Sequence, residues 1–305
     1  MTNAYGKKKE GIRGNIPLYL MALPGLLFFL VMSYIPMGFL VVAFQDFKMG
    51  LGIMGSKFVG LQNFQELVSD WMFPTVLKNT VIINLMKIVL TFPMPIVLAL
   101  CFNEMRASWY KRTVQSIVYL PHFMSWIIIY GIMNSLLSSS SGLVNQVLTA
   151  MGMEAVPFLA SPGIYRWFLV LSEIWKEMGW SSIIYIAALS GVSEELYEAA
   201  IIDGASKWRR IWHISLPGIR DTIIILFILS TGSLLSNSFE QVFVTKNSAV
   251  QSVAEIIPTY VYDQGLVKFN VSYATTVGLF QSLIGCLLVI CSNKLADKFG
   301  GNSLW

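Results

Sequence analysis

The chain has 305 residues, of which 55% are hydrophobic and 12% charged, and its formal net charge at pH 7 is +4. Soluble domains carry about 25% charged residues, so this composition and a mean hydropathy of +0.64 exclude an ordinary soluble protein and indicate an integral membrane protein. The small positive charge is concentrated in a few loops, which indicates membrane topology rather than nucleic-acid binding.

Six long apolar runs predict six transmembrane helices, because a helix that crosses a bilayer needs about 20 apolar residues. In chain order the predicted helices cover residues 16–44, 75–103, 115–137, 164–190, 219–240 and 274–293. The predicted fold class is therefore an all-α integral membrane protein. Its predicted parts are a cytoplasmic N-terminal tail (1–15), a six-helix transmembrane domain (16–293) and a cytoplasmic C-terminal tail (294–305). Proline residues are expected to bend the first helix and to interrupt the second.

Lysine and arginine are distributed unevenly between the two sides of this topology. One side has four at the N-terminus, three in 104–114, four in 191–220 and two in the C-terminal tail, thirteen in all. The loops of the other side have four, Lys48, Lys57, Lys246 and Lys268. Since cytoplasmic loops are enriched in basic residues, both termini and the loop at 191–218 are predicted to be cytoplasmic.

Residues that often carry catalysis or bind metals are few and scattered. Cys101, Cys286 and Cys291 lie in apolar segments without metal-binding spacing, which predicts buried free thiols. His122 and His213 are far apart in the chain and no HExxH is present, so neither catalytic nor metal-binding residues are expected. No G-x-x-x-x-G-K-[ST] motif occurs. No nucleotide-binding P-loop is therefore predicted in this chain.

The 191–218 loop is polar and nevertheless keeps a helical apolar pattern. Ser193 can cap a first helix, and Gly204 is suited to end it. Ser206 can cap a second, short helix that Pro217 is expected to stop.

Trp208, Ile211 and Trp212 are spaced i, i+3, i+4, so they are expected to form one apolar face of the second helix. Basic residues flank this face. Two interpretations follow from the residues alone. The face docks into a groove on another protein, or it lies on the membrane surface with its basic flanks on anionic lipid.

The spacing within this loop resembles the EAA loop of binding-protein-dependent ABC importer permeases. Glu198-Ala199-Ala200, two residues, Asp203-Gly204, nine residues and Ile214-Ser215-Leu216-Pro217 fit that pattern without a gap. Runs such as SYIPMG, FVGLQNF, YLPHFMSW and GLFQS resemble the LplB-like subgroup of oligosaccharide and polysaccharide permeases, and the resemblance covers nearly the whole chain. It implies the type I ABC importer permease bundle. The residues that it implies for contact with a separate ATPase are Glu198, Ala199, Ala200, Asp203, Gly204, Trp208, Ile211, Trp212, Leu216 and Pro217.

The resemblance also implies the partners. They are a second homologous permease chain, a dimer of ATPase subunits, an extracellular solute-binding protein or lipoprotein, and an oligosaccharide substrate. The chain is implied to lie in the bacterial cytoplasmic membrane and to bind no nucleic acid. It is implied to hold no cofactor of its own, since ATP and Mg belong to the partner ATPase.

Polar and aromatic residues within or beside the predicted spans form a second candidate site. Ionisable groups in a membrane are costly and usually face a protein interior or a water-filled path. Hydroxyl groups of a sugar need hydrogen-bond partners, and aromatic rings can stack on its apolar sides. The candidate pathway residues are Lys87, Glu173, Trp175, Lys176, Trp180, Asn237, Glu240 and Gln281.

Alternatives remain open at this point. Glu173, Lys176 and Glu177 share one helix face and can pair, so they can equally form structural ion pairs. Asn237, Glu240 and Gln281 can be ordinary polar residues near the ends of spans. At the level of function, the alternatives to an ATP-driven oligosaccharide importer are an ion-coupled secondary transporter and a membrane scaffold or receptor.

Overall fold

The computed structural model describes residues 16–105 and 108–298, almost entirely as helices. The α-helices are α1 (Ile16–Phe29), α2 (Ile35–Met37), α3 (Gly52–Gly55), α4 (Gln62–Ser69), α5 (Phe73–Thr91), α6 (Pro93–Asn103), α7 (Ser108–Tyr119), α8 (Trp126–Leu137), α9 (Leu143–Ala150), α10 (Pro162–Leu189), α11 (Glu194–Ile202), α12 (Lys207–Arg210), α13 (Leu216–Gly218), α14 (Arg220–Gly232), α15 (Phe239–Thr245), α16 (Gln251–Ala254), α17 (Ile257–Tyr262) and α18 (Val271–Lys298). The predicted N-terminal tail and residues 299–305 of the C-terminal tail lie outside the described residues.

Shorter elements connect these helices. Two 3-10 helices cover Gly38–Phe44 and Leu120–Phe123, and three π-helical turns cover Leu30–Tyr34, Ile211–Ser215 and Asp263–Val267. Two strands, β1 (Gln45–Asp46) and β2 (Lys57–Phe58), form an antiparallel pair in which Gln45 lies opposite Phe58. The loops predicted at 45–74, 138–163 and 241–273 therefore contain short elements of their own.

Three described helices are long and apolar enough to cross a membrane: Leu18–Phe44, Phe73–Glu104 and Val271–Lys298. Two further candidates are bent helix pairs, Ser108–Phe123 with Trp126–Leu137 and Lys207–Gly218 with Arg220–Gly232. The described residues thus contain three to five candidate spans by length and composition. This range does not establish the six spans that were predicted. The helix predicted at 164–190 is present as α10, but its charged residues keep it outside this count of apolar helices.

The segment predicted as one helix at 115–137 is broken, because α7 and α8 meet at 104°. Pro121 in the connecting 3-10 helix lacks a backbone N–H and cannot continue the helical ladder. Ser125 then starts a new helix, since its side chain accepts a hydrogen bond from the amide of Ile128 at 3.4 Å. The sequence prediction missed this break.

The helix predicted at 219–240 is also shorter than expected. It ends at Gly232 and is followed by turns, until α15 begins at Phe239. Ser238 has a φ of +77°, a left-handed conformation that is uncommon for a residue with a side chain.

Two of the π-helical turns end two residues before a proline. Pro36 follows Leu30–Tyr34 and Pro217 follows Ile211–Ser215. Because proline donates no hydrogen bond, the backbone widens locally, and the amide of Ile35 reaches back to the carbonyl of Leu30. Pro217 therefore does not stop its helix as predicted, since the helical path continues through Gly218.

Helix α10 lies at the centre of the bundle, where it contacts α5, α6 and α7. A buried apolar cluster joins α10 and α6 to the start of α14 through Ile96, Leu100, Tyr185, Leu189 and Ile219. A second cluster surrounds Tyr165, Phe168 and Leu169 near the other end of α10. These clusters hold α10 rigidly against its neighbours.

Helices α14 and α18 approach so closely that glycine is required. A Cβ added at Gly232 would lie 2.4 Å from Cγ2 of Val289, and one at Gly285 would lie 3.0 Å from the carbonyl oxygen of Gly232. Both distances are too short for a carbon side chain, so the two backbones meet at this point.

Asp70, between α4 and α5, links three parts of the fold. Its carboxylate accepts hydrogen bonds from the hydroxyls of Tyr260 and Tyr273 and, at 2.8 Å, from the amide of Met72. Burial raises the pKa of the Asp70 carboxyl, but these hydrogen bonds outweigh burial and leave the pKa below its ordinary value of 3.8. The ionised form therefore stabilises the folded chain.

We expect Asp70→Asn to lower the apparent Tm of the purified protein at pH 7, since the amide replaces charge-assisted hydrogen bonds with weaker ones. A carboxyl with a depressed folded pKa stabilises above its unfolded pKa, and this contribution is lost as the pH falls from 3.8 toward the folded value. Thermal unfolding scans in detergent at several pH values test this. Equal Tm values for the wild type and the variant at pH 7 contradict it.

The three cysteines are free but not buried as predicted. Cys101, Cys286 and Cys291 are all exposed on the surface of the isolated chain. Apolar segments of a membrane protein also face lipid, so an apolar sequence context does not distinguish a buried thiol from a lipid-facing one.

Candidate functional site

A cavity of about 860 Å³ opens between α5, α10, α14 and the 233–241 segment. Its wall combines apolar surface with carboxylate, amide, hydroxyl and aromatic groups. The polar and aromatic side chains on this wall include Asn84, Lys87, Trp126, Glu173, Glu177, Trp180, Ser181, Ser236, Asn237, Ser238, Glu240 and Gln241.

Lys87 is the best-connected polar group of this wall. The residue is only 7% exposed. Its ammonium donates to Oε2 of Glu173 at 2.9 Å, to Oγ of Ser238 at 2.6 Å and to Oε1 of Gln241 at 2.5 Å. A lysine ammonium has three donors, so all of them are used within the chain.

The groups around Lys87 are themselves held in place. Gln241 donates from Nε2 to the carbonyl oxygen of Leu169 at 2.8 Å and to Oγ of Ser172 at 3.0 Å. Ser238 donates to Oδ1 of Asn84 at 3.3 Å. This network connects α5, α10 and α15, and it fixes the left-handed turn at Ser238.

A second polar cluster joins α10 to the break between α7 and α8. The ammonium of Lys176 donates to the carbonyl oxygen of His122 at 2.6 Å and lies 3.2 Å from Oε1 of Glu177. Oε2 of Glu177 lies 2.7 Å from Nδ1 of His122. Glu173 therefore pairs with Lys87 and Lys176 with Glu177, and the alternative pairing of Glu173 with Lys176 does not occur.

Five of the eight predicted pathway residues line the cavity, namely Lys87, Glu173, Trp180, Asn237 and Glu240. Trp175, Lys176 and Gln281 are not among the residues that form its wall. The assignment of any of the eight to a pathway stays a prediction.

Several lining residues were not singled out from the sequence. Asn84 lies one helical turn before Lys87, and Ser238 and Gln241 adjoin predicted residues, so helical spacing and proximity could have suggested them. For Trp126 the sequence carries no such signal. Only the break between α7 and α8 places it beside the cavity.

The 191–218 loop forms a helix–turn–helix of defined geometry. Ser193 accepts a hydrogen bond from the amide of Glu195 at 3.3 Å, and Ser206 accepts one from the amide of Arg209 at 3.4 Å, as the capping prediction expected. Gly204 has a φ of +71°. Its amide donates to Ile201, and the next amide donates to Ala200, which is the hydrogen-bond pattern of a Schellman motif.

The exposed side of this loop is apolar, but two of the predicted contact residues do not lie on it. Trp208 and Trp212 are 73% and 64% exposed. Ile211 instead packs against the buried cluster of α6 and α10, as does Leu216. Ile211 and Trp212 follow Trp208 by three and four residues, so they lie on opposite sides of Trp208 around the helix, and the side that holds Ile211 faces the bundle.

Exposed apolar side chains of α11 extend this surface. Leu196, Ile201 and Ile202 are exposed, as are the predicted contact residues Glu198, Ala199, Asp203, Gly204 and Pro217. Large apolar side chains exposed together normally mark a surface that contacts a partner or lipid.

The loop is tied firmly to the bundle. The hydroxyls of Tyr197 and Ser215 lie 2.9 Å apart and join α11 to the π-helical turn. Arg210 donates to Oε2 of Glu104, at the end of α6, at 3.2 Å. The first contact holds the two halves of the loop together, and the second joins the loop to α6.

A bundle of membrane-spanning helices with a polar cavity and a rigid apolar loop defines a multi-pass membrane transport component. The chain belongs to the family of binding-protein-dependent transport system inner membrane components, whose model matches residues 91–299. It is similar to the polygalacturonan/rhamnogalacturonan transport system permease protein YteP of Bacillus subtilis (strain 168), with 44% identity over 288 residues, 94% of this chain and 90% of that protein.

Two further comparisons are consistent with this family. Protein LplB of Bacillus subtilis (strain 168) is 42% identical over 94% of this chain and 91% of its own length. A chain of a bacterial alginate ABC transporter, crystallised with an alginate pentasaccharide-bound periplasmic protein, superposes with a TM-score of 0.88 at 34% identity, covering 96% of this chain and 98% of that one. The resemblance to ABC importer permeases is thereby confirmed, and the ion-coupled alternative finds no support in these comparisons.

Proposed function

We propose that this chain is one permease subunit of an ATP-driven oligosaccharide importer and forms half of its translocation pathway. The observation that carries the proposal is the continuous path from the exposed 191–218 loop through α14 to the cavity wall. The loop is fixed to α6 and α10, and α14 begins three residues after Pro217 and ends two residues before Leu234, the next cavity-lining residue.

The subunit acts with partners that supply what it lacks. ATP and Mg are bound by a pair of ATPase subunits that receive the loop surface. A second, homologous permease chain closes the cavity, and an external solute-binding protein delivers the saccharide. The periplasmic protein in the similar alginate transporter supports the last of these partners.

The cavity wall limits how a charged saccharide is recognised. It carries the carboxylates of Glu173, Glu177 and Glu240 and the ammonium of Lys87, which is fully engaged. The names of similar transporters refer to acidic polysaccharides. Basic groups that recognise such a polyanion therefore come from the second permease chain, while this chain supplies hydrogen-bond acceptors and aromatic rings.

ATP dependence tests the proposed function. The chain is reconstituted into liposomes with its partner permease, ATPase and binding protein, and uptake is measured for galacturonate, mannuronate and neutral tetrasaccharides. We expect at least one of them to enter with ATP and none to enter with an ion gradient alone. Uptake driven by a gradient without ATP contradicts the proposal.

We also propose that the chain crosses the membrane six times and has both termini in the cytoplasm. The crossings are the three apolar helices, the bent pair of α7 and α8, α10, and α14 with the segment that follows it, so that Lys207–Gly218 of the second bent pair stays in the cytoplasmic loop. The charged residues of α10 do not prevent this, since Lys87 neutralises Glu173, and Lys176 neutralises Glu177.

Labelling of single cysteines tests this orientation. In a cysteine-free variant of the chain, Ser206→Cys is expected to resist an impermeant thiol reagent in intact cells, and Ser139→Cys is expected to react. Both serines are exposed in the isolated chain, so each is expected to react once the membrane is dissolved and the chain is freed from its partners. Labelling of Ser206→Cys without labelling of Ser139→Cys overturns the topology.

A further inference from the structure

The break between α7 and α8 places two aromatic side chains beside Trp180. The ring of His122 lies parallel to the indole of Trp180, with 4.5 Å between ring centroids and 1° between ring planes. The ring of Phe123 is nearly perpendicular to both, at 5.4 Å from each. We call His122, Phe123 and Trp180 the aromatic corner. The parallel stack and the edge contact are the arrangements that aromatic pairs favour.

His122 is held at two points by side chains of α10. Its Nδ1 lies 2.7 Å from Glu177, and its carbonyl oxygen accepts a hydrogen bond from Lys176 at 2.6 Å. These two residues lie three and four positions before Trp180, on the same helix face. One turn of α10 therefore both carries the indole and fixes the ring that covers it.

The indole remains accessible from the cavity. Trp180 is 42% exposed and belongs to the cavity wall. His122 stacks on one of its two faces and Phe123 meets it edge to face, and neither of these two rings occupies the second face of the indole. Ser181 and Glu177 line the cavity next to it and provide polar groups at the margin of this ring.

We propose that Trp180 is the platform on which one sugar ring of the oligosaccharide stacks, and that His122 is the positioning residue that fixes this platform. The proposal rests on the proposed function and assigns a saccharide subsite within the same cavity. A pyranose presents C–H groups on its face and hydroxyls at its rim. The open face of the indole and the polar groups beside it match this division.

Substitutions separate the stack from the hydrogen bond. His122→Phe keeps a ring against Trp180 and loses the contact with Glu177, whereas His122→Asn can keep that contact and loses the ring. Trp180→Ala removes the platform. Trp167→Phe is the control, because Trp167 lies on α10 but not on the cavity wall.

Two measurements are made on the reconstituted complex. The probe is the tetrasaccharide that enters fastest. Hydroxyl-radical footprinting with mass spectrometry measures the modification of Trp180 as the saccharide is added. Uptake assays give the half-saturating saccharide concentration and the maximal rate.

We expect the saccharide to protect Trp180 in the wild type and in Trp167→Phe. His122→Asn should raise the half-saturating concentration about three- to tenfold, the range of one aromatic contact, with the maximal rate unchanged within about twofold. His122→Phe should keep the half-saturating concentration and maximal rate of the wild type. Trp180→Ala should raise the half-saturating concentration at least as much as His122→Asn.

If saturating saccharide does not protect Trp180 in a complex that transports, Trp180 is not the platform. The proposed function is unaffected by that result. Equal defects in His122→Phe and His122→Asn assign the effect to the contact with Glu177 and overturn the positioning role. If no tetrasaccharide enters the wild-type vesicles, the proposed function itself fails, and the subsite fails with it.

Discussion

Gly204→Val is expected to reduce ATP-driven saccharide uptake about tenfold or more, while the permease pair stays in the membrane. An added Cβ meets no atom within 4 Å, so the effect does not come from a clash. It comes from the φ of +71°, which a β-branched residue adopts at a cost of about 1–2 kcal/mol. The chain relieves this strain by opening the turn between α11 and α12, and the exposed apolar surface then loses its shape.

Gly204→Asn is the matched control, because asparagine tolerates the left-handed conformation better than other residues with a side chain. It should retain most of the uptake. Glu198→Ala, on the exposed side of α11, should weaken ATPase binding without affecting the turn. Uptake in proteoliposomes and co-purification of the ATPase are the measurements. Wild-type uptake by both Gly204→Val and Glu198→Ala identifies the loop as a lipid-bound helix and removes the main support for coupling.

Lys87→Met is expected to abolish most uptake and to lower the yield of assembled complex. The substitution leaves the carboxylate of Glu173 without its counter-ion and the buried amide oxygen of Gln241 without its donor. Removal of one partner from a fully buried ion pair costs about 3–5 kcal/mol, and the cost here is smaller because the side chain of Glu173 is 25% exposed. The left-handed turn at Ser238 loses a hydrogen bond at the same time.

Lys87→Met combined with Glu173→Gln tests the cause, since it removes both charges together. Partial recovery of assembly in the double variant is expected if the unpaired carboxylate is responsible. Lys87→Arg should show less assembly and less uptake than the wild type, because a planar guanidinium does not match three acceptors that converge on one nitrogen. Size-exclusion chromatography measures assembly and vesicle uptake measures transport. A Lys87→Met variant that assembles and transports normally contradicts the structural role.

Much of the fold follows from the sequence because hydrophobic length and capping residues act locally. The apolar runs at 16–44, 75–103 and 274–293 correspond to helical segments, and the caps at Ser193 and Ser206 are present. Gly204 has the conformation expected of it. Each of these features depends on neighbouring residues and on membrane thickness.

The errors arise where distant contacts decide the structure. The break at Pro121 is stabilised by Lys176 and Glu177, which lie more than fifty residues further along the chain. The inward orientation of Ile211 depends on the cluster of α6 and α10 beneath it. Periodicity describes one helix at a time, so it could predict neither feature.

The pairing of charges in the candidate site could not be predicted either. Glu173 and Lys176 are three residues apart and therefore neighbours on one helix, yet Glu173 meets Lys87 from α5. In a membrane protein the strong electrostatic partner is often on another helix, because unpaired charges between helices are costly.

The close contact at Gly232 has a mechanical consequence. Helix α14 has 13 residues and is therefore about 20 Å long, and the 191–218 loop adjoins its far end. The next cavity residues after Gly232 are Leu234, Ser236 and Asn237, of which the first follows it by only two positions. If α14 rotates about its contact with α18 at Gly232, the segment between this contact and the loop is much longer than the segment between the contact and these cavity residues. A shift of several ångströms at the loop becomes a smaller displacement in the opposite direction at the cavity, exerted with greater force.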